Sequence, residues 1–168
     1  MNQLSFYNDL FITEIRRRLF DESFPRLRKC LSELSESEIW HQTNKNSNSV
    51  GNLALHLCGN VRQWIISGLG KEKDERIRDL EFSVERQIST PQLIALIDQI
   101  EKDAARIIDQ CTIASMMAIH PVQIYQETGI AILIHVVEHF SYHVGQITYY
   151  VKYKKDMDIG YYNGDELG

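Results

Sequence analysis

Three of the chain's six histidines fall at positions 135, 139 and 143, inside the apolar stretch HVVEHFSYHVGQI. Neutral imidazole is a common ligand for transition metals. Residues four apart on a helix share a face, so an HxxxH pair brings two ring nitrogens within reach of one divalent ion. Two such pairs overlap here, His135/His139 and His139/His143. His135 and His143 are separated by about 12 Å along a helix axis, so one ion does not readily take both. One outer histidine therefore has another role, and a core histidine hydrogen-bonded to a neighbouring helix is the plain alternative for any of them.

A further imidazole comes from an earlier segment. At 100° per residue, Ser49, Asn52, His56, Asn60, Gln63 and Ser67 form one stripe, beside the apolar stripe Val50, Leu53, Leu57, Val61 and Trp64. A solvent-facing stripe would attract Lys and Glu, whereas this one is polar and uncharged, which predicts the lining of a cavity. On the last helix Thr128, Ile132, His135, His139, His143, Gln146 and Tyr150 fall on one line. Two helices thus present imidazoles towards a common interior. Two histidines from one helix and one from another make three protein ligands with an open position, as in catalytic rather than closed structural sites. Such a set suits Zn, Ni, Fe or Cu.

The elements that must hold these residues read as helices. Leu4, Tyr7, Phe11, Ile15 and Leu19, then Leu27, Leu31 and Leu34, predict a first helix over 5–34, kinked or restarted near Pro25 with Asp21 or Ser23 at the break. A second helix runs from an N-cap at Ser49 to about Gly68, followed by some twenty residues of connection. Thr90 is expected to cap a third helix with Pro91 in its first position, and its stripe runs from Leu93 to Cys111. A loop is expected over 112–126, broken at His120-Pro121, and a last helix over 127–154. No stretch of strand length shows clear alternation. The expected fold is an all-α four-helix bundle, one domain over 1–168. The connection between helices two and three is long enough to run back along the bundle and leave them parallel.

Composition narrows the function. A net charge of −5 and no dense basic run beyond Arg16–Arg18 argue against nucleic-acid binding. No run approaches the ~18 apolar residues of a membrane span, and the N-terminus lacks the features of a signal peptide. Three cysteines without a CxxC pair fit reduced thiols, hence a cytoplasmic setting.

The segments SNSVGNLALHLCGNVRQWI and VVEHFSYHVGQITYYVKYK resemble the DinB/YfiT-like superfamily of metalloenzymes, most closely a branch described as a domain of unknown function. The specific part is a histidine midway along helix two, then H-x-x-x-H-x-G-Q on helix four, and the resemblance covers nearly the whole chain. It implies a four-helix bundle with a long crossover between helices two and three. It implies that His56, His139 and His143 hold one divalent transition metal (Zn, Ni, Fe or Mn). His135 is then left to the pocket with Asn60, Gln63, Gln146 and Tyr150, as an outer contact of the ligands or a substrate contact. Characterised relatives are transferases and isomerases that use low-molecular-weight thiols, so a small-molecule substrate and a thiol-dependent S-transfer or a hydrolysis are implied. Val144 stands where many relatives carry a basic residue.

Beside this stands a different class, a non-catalytic metal-binding or interaction protein in which the ion staples helix two to helix four. No carboxylate is identifiable as a base: Glu138 lies about 100° off the histidine line, and Cys58 points away as a buried thiol. The last helix is apolar nearly all round, from Ala131 to Val151, with Leu133, Val137, Phe140, Val144 and Ile147 on one flank and Ile134, Tyr142 and Tyr149 towards the other. A homodimer is therefore expected, unless the crossover and the Tyr161-Tyr162 tail cover that surface.

Overall fold

The computed structural model describes residues 3–83 and 87–164; the outer ends of the predicted domain and part of the crossover lie outside the described residues. The helical expectation holds. The first helix consists of α1 (Gln3–Arg16), a π-helical segment Arg17–Ser23 and α2 (Phe24–Ser32). The helix does not restart at Pro25. The wider π turn carries the chain past a residue without an N–H, and the Ser23 hydroxyl donates to the Arg18 carbonyl at 2.7 Å. A short helix α3 (Glu36–Ile39) follows, with a reciprocal cap between Ser35 and Glu38.

The second helix is α4 (Val50–Val61) continued by a π-helical segment Arg62–Leu69. Ser49 caps it as expected, exchanging hydrogen bonds with Asn52. The crossover contains a 3-10 turn, Arg78–Phe82. Helix α5 (Thr90–Asp109) starts one residue earlier than the capping expectation: Ser89, not Thr90, is the N-cap, and the Gln92 side chain accepts from the Ser89 N–H at 3.0 Å. The last helix, α7 (Gly129–Lys155), is capped by Thr128 and ends at Asp156 in the left-handed region, φ 49°.

The loop expected over 112–126 is instead a short helix α6 (Ile113–Met117) and an antiparallel hairpin, β1 (Ile119–Val122) with β2 (Tyr125–Thr128). Its alternation is inverted in residue type. Ile119 and Pro121 face out, while His120 and Val122 are buried, His120 donating from Nε2 to the Ser115 carbonyl at 2.7 Å. The turn is Gln123-Ile124 with Gln123 at φ 54°, a position normally given to Gly or Asn. Neither signal is visible in the residue pattern.

Side-chain pairs fix the helix directions. Arg28 meets Asp98 while Arg16 meets Asp109, so the first helix and α5 are antiparallel. Phe24 packs on Phe140 at 4.6 Å between centroids and Cys30 sits 3.6 Å from Thr148, so α2 and α7 are parallel. Leu55 and Gly59 share a pocket with Leu96 and Ile100, and Gly70 abuts Ile107, so the second helix and α5 are parallel, as the long crossover allows. The core between them contains Leu19, Phe24, Leu27, Leu57, Ile65, Ile97, Ile132 and Phe140, all essentially inaccessible. Among the described residues no helix is long and apolar enough to cross a membrane.

Candidate metal centre

Antiparallel packing of α4 on α7 sets His56 against the histidine line of the last helix. The ring of His56 lies 4.9 Å from that of His139 and 5.1 Å from that of His143. One ring nitrogen from each of the three lies within 4.8 Å of the others, and this is the group among the described residues that could hold an ion. Ligand nitrogens of a tetrahedral ion with bonds of about 2.1 Å stand about 3.4 Å apart. His56 Nε2 and His139 Nε2 are 3.1 Å apart, so small side-chain shifts suffice.

The hydrogen bonds around the cluster fix which nitrogens are free. A carboxylate can only accept, so the 2.9 Å contact of Glu81 Oε2 with His56 Nδ1 places a proton on Nδ1, and in the neutral ring the lone pair is then on Nε2. Arg76 Nη2, 3.2 Å from the same Nδ1, is then a neighbour rather than a donor to it. Gln146 Oε1 accepts from His143 Nδ1 at 2.7 Å, which likewise frees Nε2 of His143. Between them, His139 Nδ1 is buried without a hydrogen-bond partner. Burial, followed by the neighbouring imidazoles and Arg76, pushes the His139 pKa down to about 3. Burial also lowers the pKa of His143 and of His135. In the 3.1 Å contact between His56 Nε2 and His139 Nε2 one nitrogen carries the proton, which an ion would displace; three ring nitrogens so placed fit a divalent ion.

His135 is outside this set. Its ring stacks on Trp64 at 3.8 Å between centroids and 25° between planes, and its Nε2 is 3.5 Å from Asn60 Nδ2. Both residues line a cavity of about 370 Å³ that reaches His56 and His139 and is rimmed by Arg78, Gln123, Tyr125 and Glu127. Gln63 is tied up elsewhere: its amide donates to Asp74 at 2.6 Å and accepts from Arg76 and Gln123 at 2.8 and 2.5 Å. Gln146 and Tyr150 border a separate groove of about 850 Å³ between α7 and the 41–48 loop. There Tyr150 donates to the Glu38 carbonyl at 3.4 Å. The pocket grouped from the sequence is thus divided, with Asn60 and His135 on one side of the histidines and Gln146 and Tyr150 on the other. Glu138 is exposed, and Cys58 is buried with its thiol pKa pushed up to about 12.

Sequence reasoning missed Glu81 and Arg76. Glu81 is a carboxylate only 7 % exposed, gripped by Arg76 through Nε at 2.6 Å and Nη2 at 2.8 Å. Burial opposes its ionisation, but the hydrogen bonds from Arg76 and His56 outweigh that and hold its pKa below the usual range. The available signal was a glutamate between Leu80 and Phe82, in a crossover facing an uncharged polar stripe that needed partners.

Two solved structures share the architecture. A DinB-like protein from Bacillus cereus superposes with a TM-score of 0.65 at 14 % identity, over 83 % of this chain and 90 % of that one. A DinB-like protein from Bacillus subtilis gives 0.63 at 13 % identity, over 89 % and 94 %. No curated protein matches the sequence. The fold is therefore that of the DinB-like proteins, and the match over residues 8–161 to the family described as "Protein of unknown function (DUF1572)" shows that the chain belongs to that family.

Proposed function

We propose that the chain is a metal-dependent enzyme in which His56, His139 and His143 hold one divalent transition metal, Zn, Ni, Fe or Mn, and act on a small molecule by thiol-dependent S-transfer or hydrolysis. The observation that carries this reading is the convergence of three ring nitrogens, two of them on rings whose Nδ1 is turned to Glu81 or Gln146, beside a cavity of about 370 Å³. When bound, the ion supplies an uncompensated positive charge and a Lewis-acid position that favour an anionic group such as a thiolate. The chain's own residues do the rest. Asn60 and His135 offer polar contacts on the cavity wall, Trp64 gives it an apolar floor, and Arg76 cancels the charge of Glu81 so that the carboxylate does not repel an anion. Elemental analysis of protein purified without an affinity tag tests the metal: about one transition-metal ion per chain is expected. Conjugation assays with low-molecular-weight thiols test the chemistry, and a fully loaded protein inert towards thiols and simple esters alike would favour the ion as a staple between α4 and α7.

The proposal includes a cytoplasmic setting, in keeping with three free thiols. It also includes a homodimer. The crossover seats on α4 and Tyr161 of the tail packs against Cys30 and Thr148, so both leave Ile134, Tyr142 and Tyr149 exposed, at 49, 61 and 75 %. Light scattering after size exclusion should give about twice the chain mass of 19.6 kDa, and the chain mass at every concentration would remove the dimer.

A further inference from the structure

The crossover does more than connect two parallel helices. It inserts Glu81 between the polar stripe of α4 and Arg76, and four residues serve that insertion. Asn52 Nδ2 donates to the Glu81 carbonyl at 2.9 Å and so fixes its backbone. Arg76 grips both carboxylate oxygens, and Gln63 holds Arg76 from the other side at 2.8 Å. Gly59 is the fourth: a Cβ there would lie 2.0 Å from Glu81 Oε1 and 2.9 Å from Arg76 Nε. A side chain there would displace the carboxylate or the guanidinium from these positions.

We propose that Glu81 is the positioning residue of the histidine cluster, and that docking of the crossover and loading of the metal are coupled through it. The inference rests on the metal reading above. Its physical basis is the tautomer. With Glu81 in place the proton of His56 stays on Nδ1 and the Nε2 lone pair faces His139; without it either nitrogen can carry the proton, and the ring is free to turn. Carboxylates behind metal-bound histidines act in this way and typically change affinity 10- to 100-fold. Coupling is reciprocal: whatever the docked crossover gives to metal affinity, the metal returns to crossover docking. A simple ion-pair clip would need Arg76 and Glu81 alone. Here the carboxylate is on the ring of a cluster histidine, in a gap kept open by a glycine.

The test compares wild type, Glu81→Gln, Gly59→Ala and His139→Ala. Zn²⁺ affinity is measured by competition with a chromophoric chelator. Crossover docking is measured by hydrogen exchange of its amides and by tryptic cleavage after Lys71, Lys73 and Arg78, with and without Zn²⁺. The His56 tautomer is read from ring ¹⁵N shifts in the metal-free protein. Wild type should show slower crossover exchange when Zn²⁺ is added, and a protonated Nδ1 on His56. E81Q and G59A should each bind one Zn²⁺ per chain 10- to 100-fold more weakly, with less protection of the crossover and, in E81Q, a mixed tautomer. H139A should lose Zn²⁺. If H139A binds Zn²⁺ like wild type, the metal reading fails whatever Glu81 does. If H139A loses Zn²⁺ while E81Q and G59A bind within twofold of wild type, the metal reading stands and the positioning role is overturned. Unchanged crossover exchange in wild type on Zn²⁺ addition overturns the coupling without any variant having to fold.

Discussion

The polar stripes of α4 and α7 look alike on a helical wheel and do opposite things. Almost every member of the α4 stripe is partnered: Asn52 and His56 bond to Glu81, Gln63 to Asp74 and Arg76, and Ser67 to the Lys73 carbonyl. That stripe is the seat of an irregular segment whose backbone and charged groups need hydrogen bonds. The α7 stripe has few such partners. His139 Nδ1 has none, His135 is held mainly by stacking on Trp64, and His143 is tied to Gln146 on its own helix. Uncharged polar residues beside a core therefore have two meanings, and whether they are hydrogen-bonded separates a docking seat from a reactive face.

His139→Ala removes the central member of the reactive face and should give the largest effect. Metal content should fall from about one ion per chain to near zero, a loss in affinity beyond the 10- to 100-fold typical of outer contacts. Elemental analysis after dialysis reads it directly; retention of the ion would erase the distinction between the stripes.

Acid should discriminate next. His139 is held neutral in the folded chain, with a pKa of about 3 against 6.5 for the free side chain. The folded value is the lower one, so this contribution to stability is complete above pH 6.5 and declines as the pH falls towards 3. Chemical denaturation of metal-free protein should show stability falling steadily with pH across that window. The slope should shrink in H139A, and an identical slope would mean that the cluster is not buried neutral.

Asn52→Ala tests the docking seat. It removes the reciprocal cap with Ser49 and the bond to the Glu81 carbonyl. A loss of about 1–2 kcal/mol is expected by thermal unfolding, together with faster exchange of crossover amides, while a mutant as stable as wild type would make the seat incidental.

The smallest effect should come from His135→Ala. Metal stoichiometry should stay near one per chain, because His135 stands outside the converging set. Loss of the ion in a folded H135A protein would put His135 among the ligands.

Much of this molecule was legible from residue pattern. Period-3.6 stripes gave the four long helices, and Ser49 marked the start of α4 through a local cap that needs only its neighbours. His139 and His143 were placed on one face by spacing alone. The hairpin was not legible, because its buried strand residues are His120 and Val122 while Ile119 faces solvent, the reverse of the usual residue preference. The π turn before Pro25, which carries the helix through without a restart, was not legible either.

By itself, then, the sequence determined periodicity, capping and the face on which each imidazole lies, since these depend on residues within one or two turns of one another. Only the tertiary structure decided that the cavity divides on either side of the histidines. It also decided that the α4 stripe is a seat, and that Glu81, 25 positions from His56, closes on it with Arg76 through the gap at Gly59. The buried carboxylate of Glu81 is tolerable because a guanidinium and an imidazole converge on it. That convergence follows from how the crossover folds across two parallel helices, which no local pattern encodes.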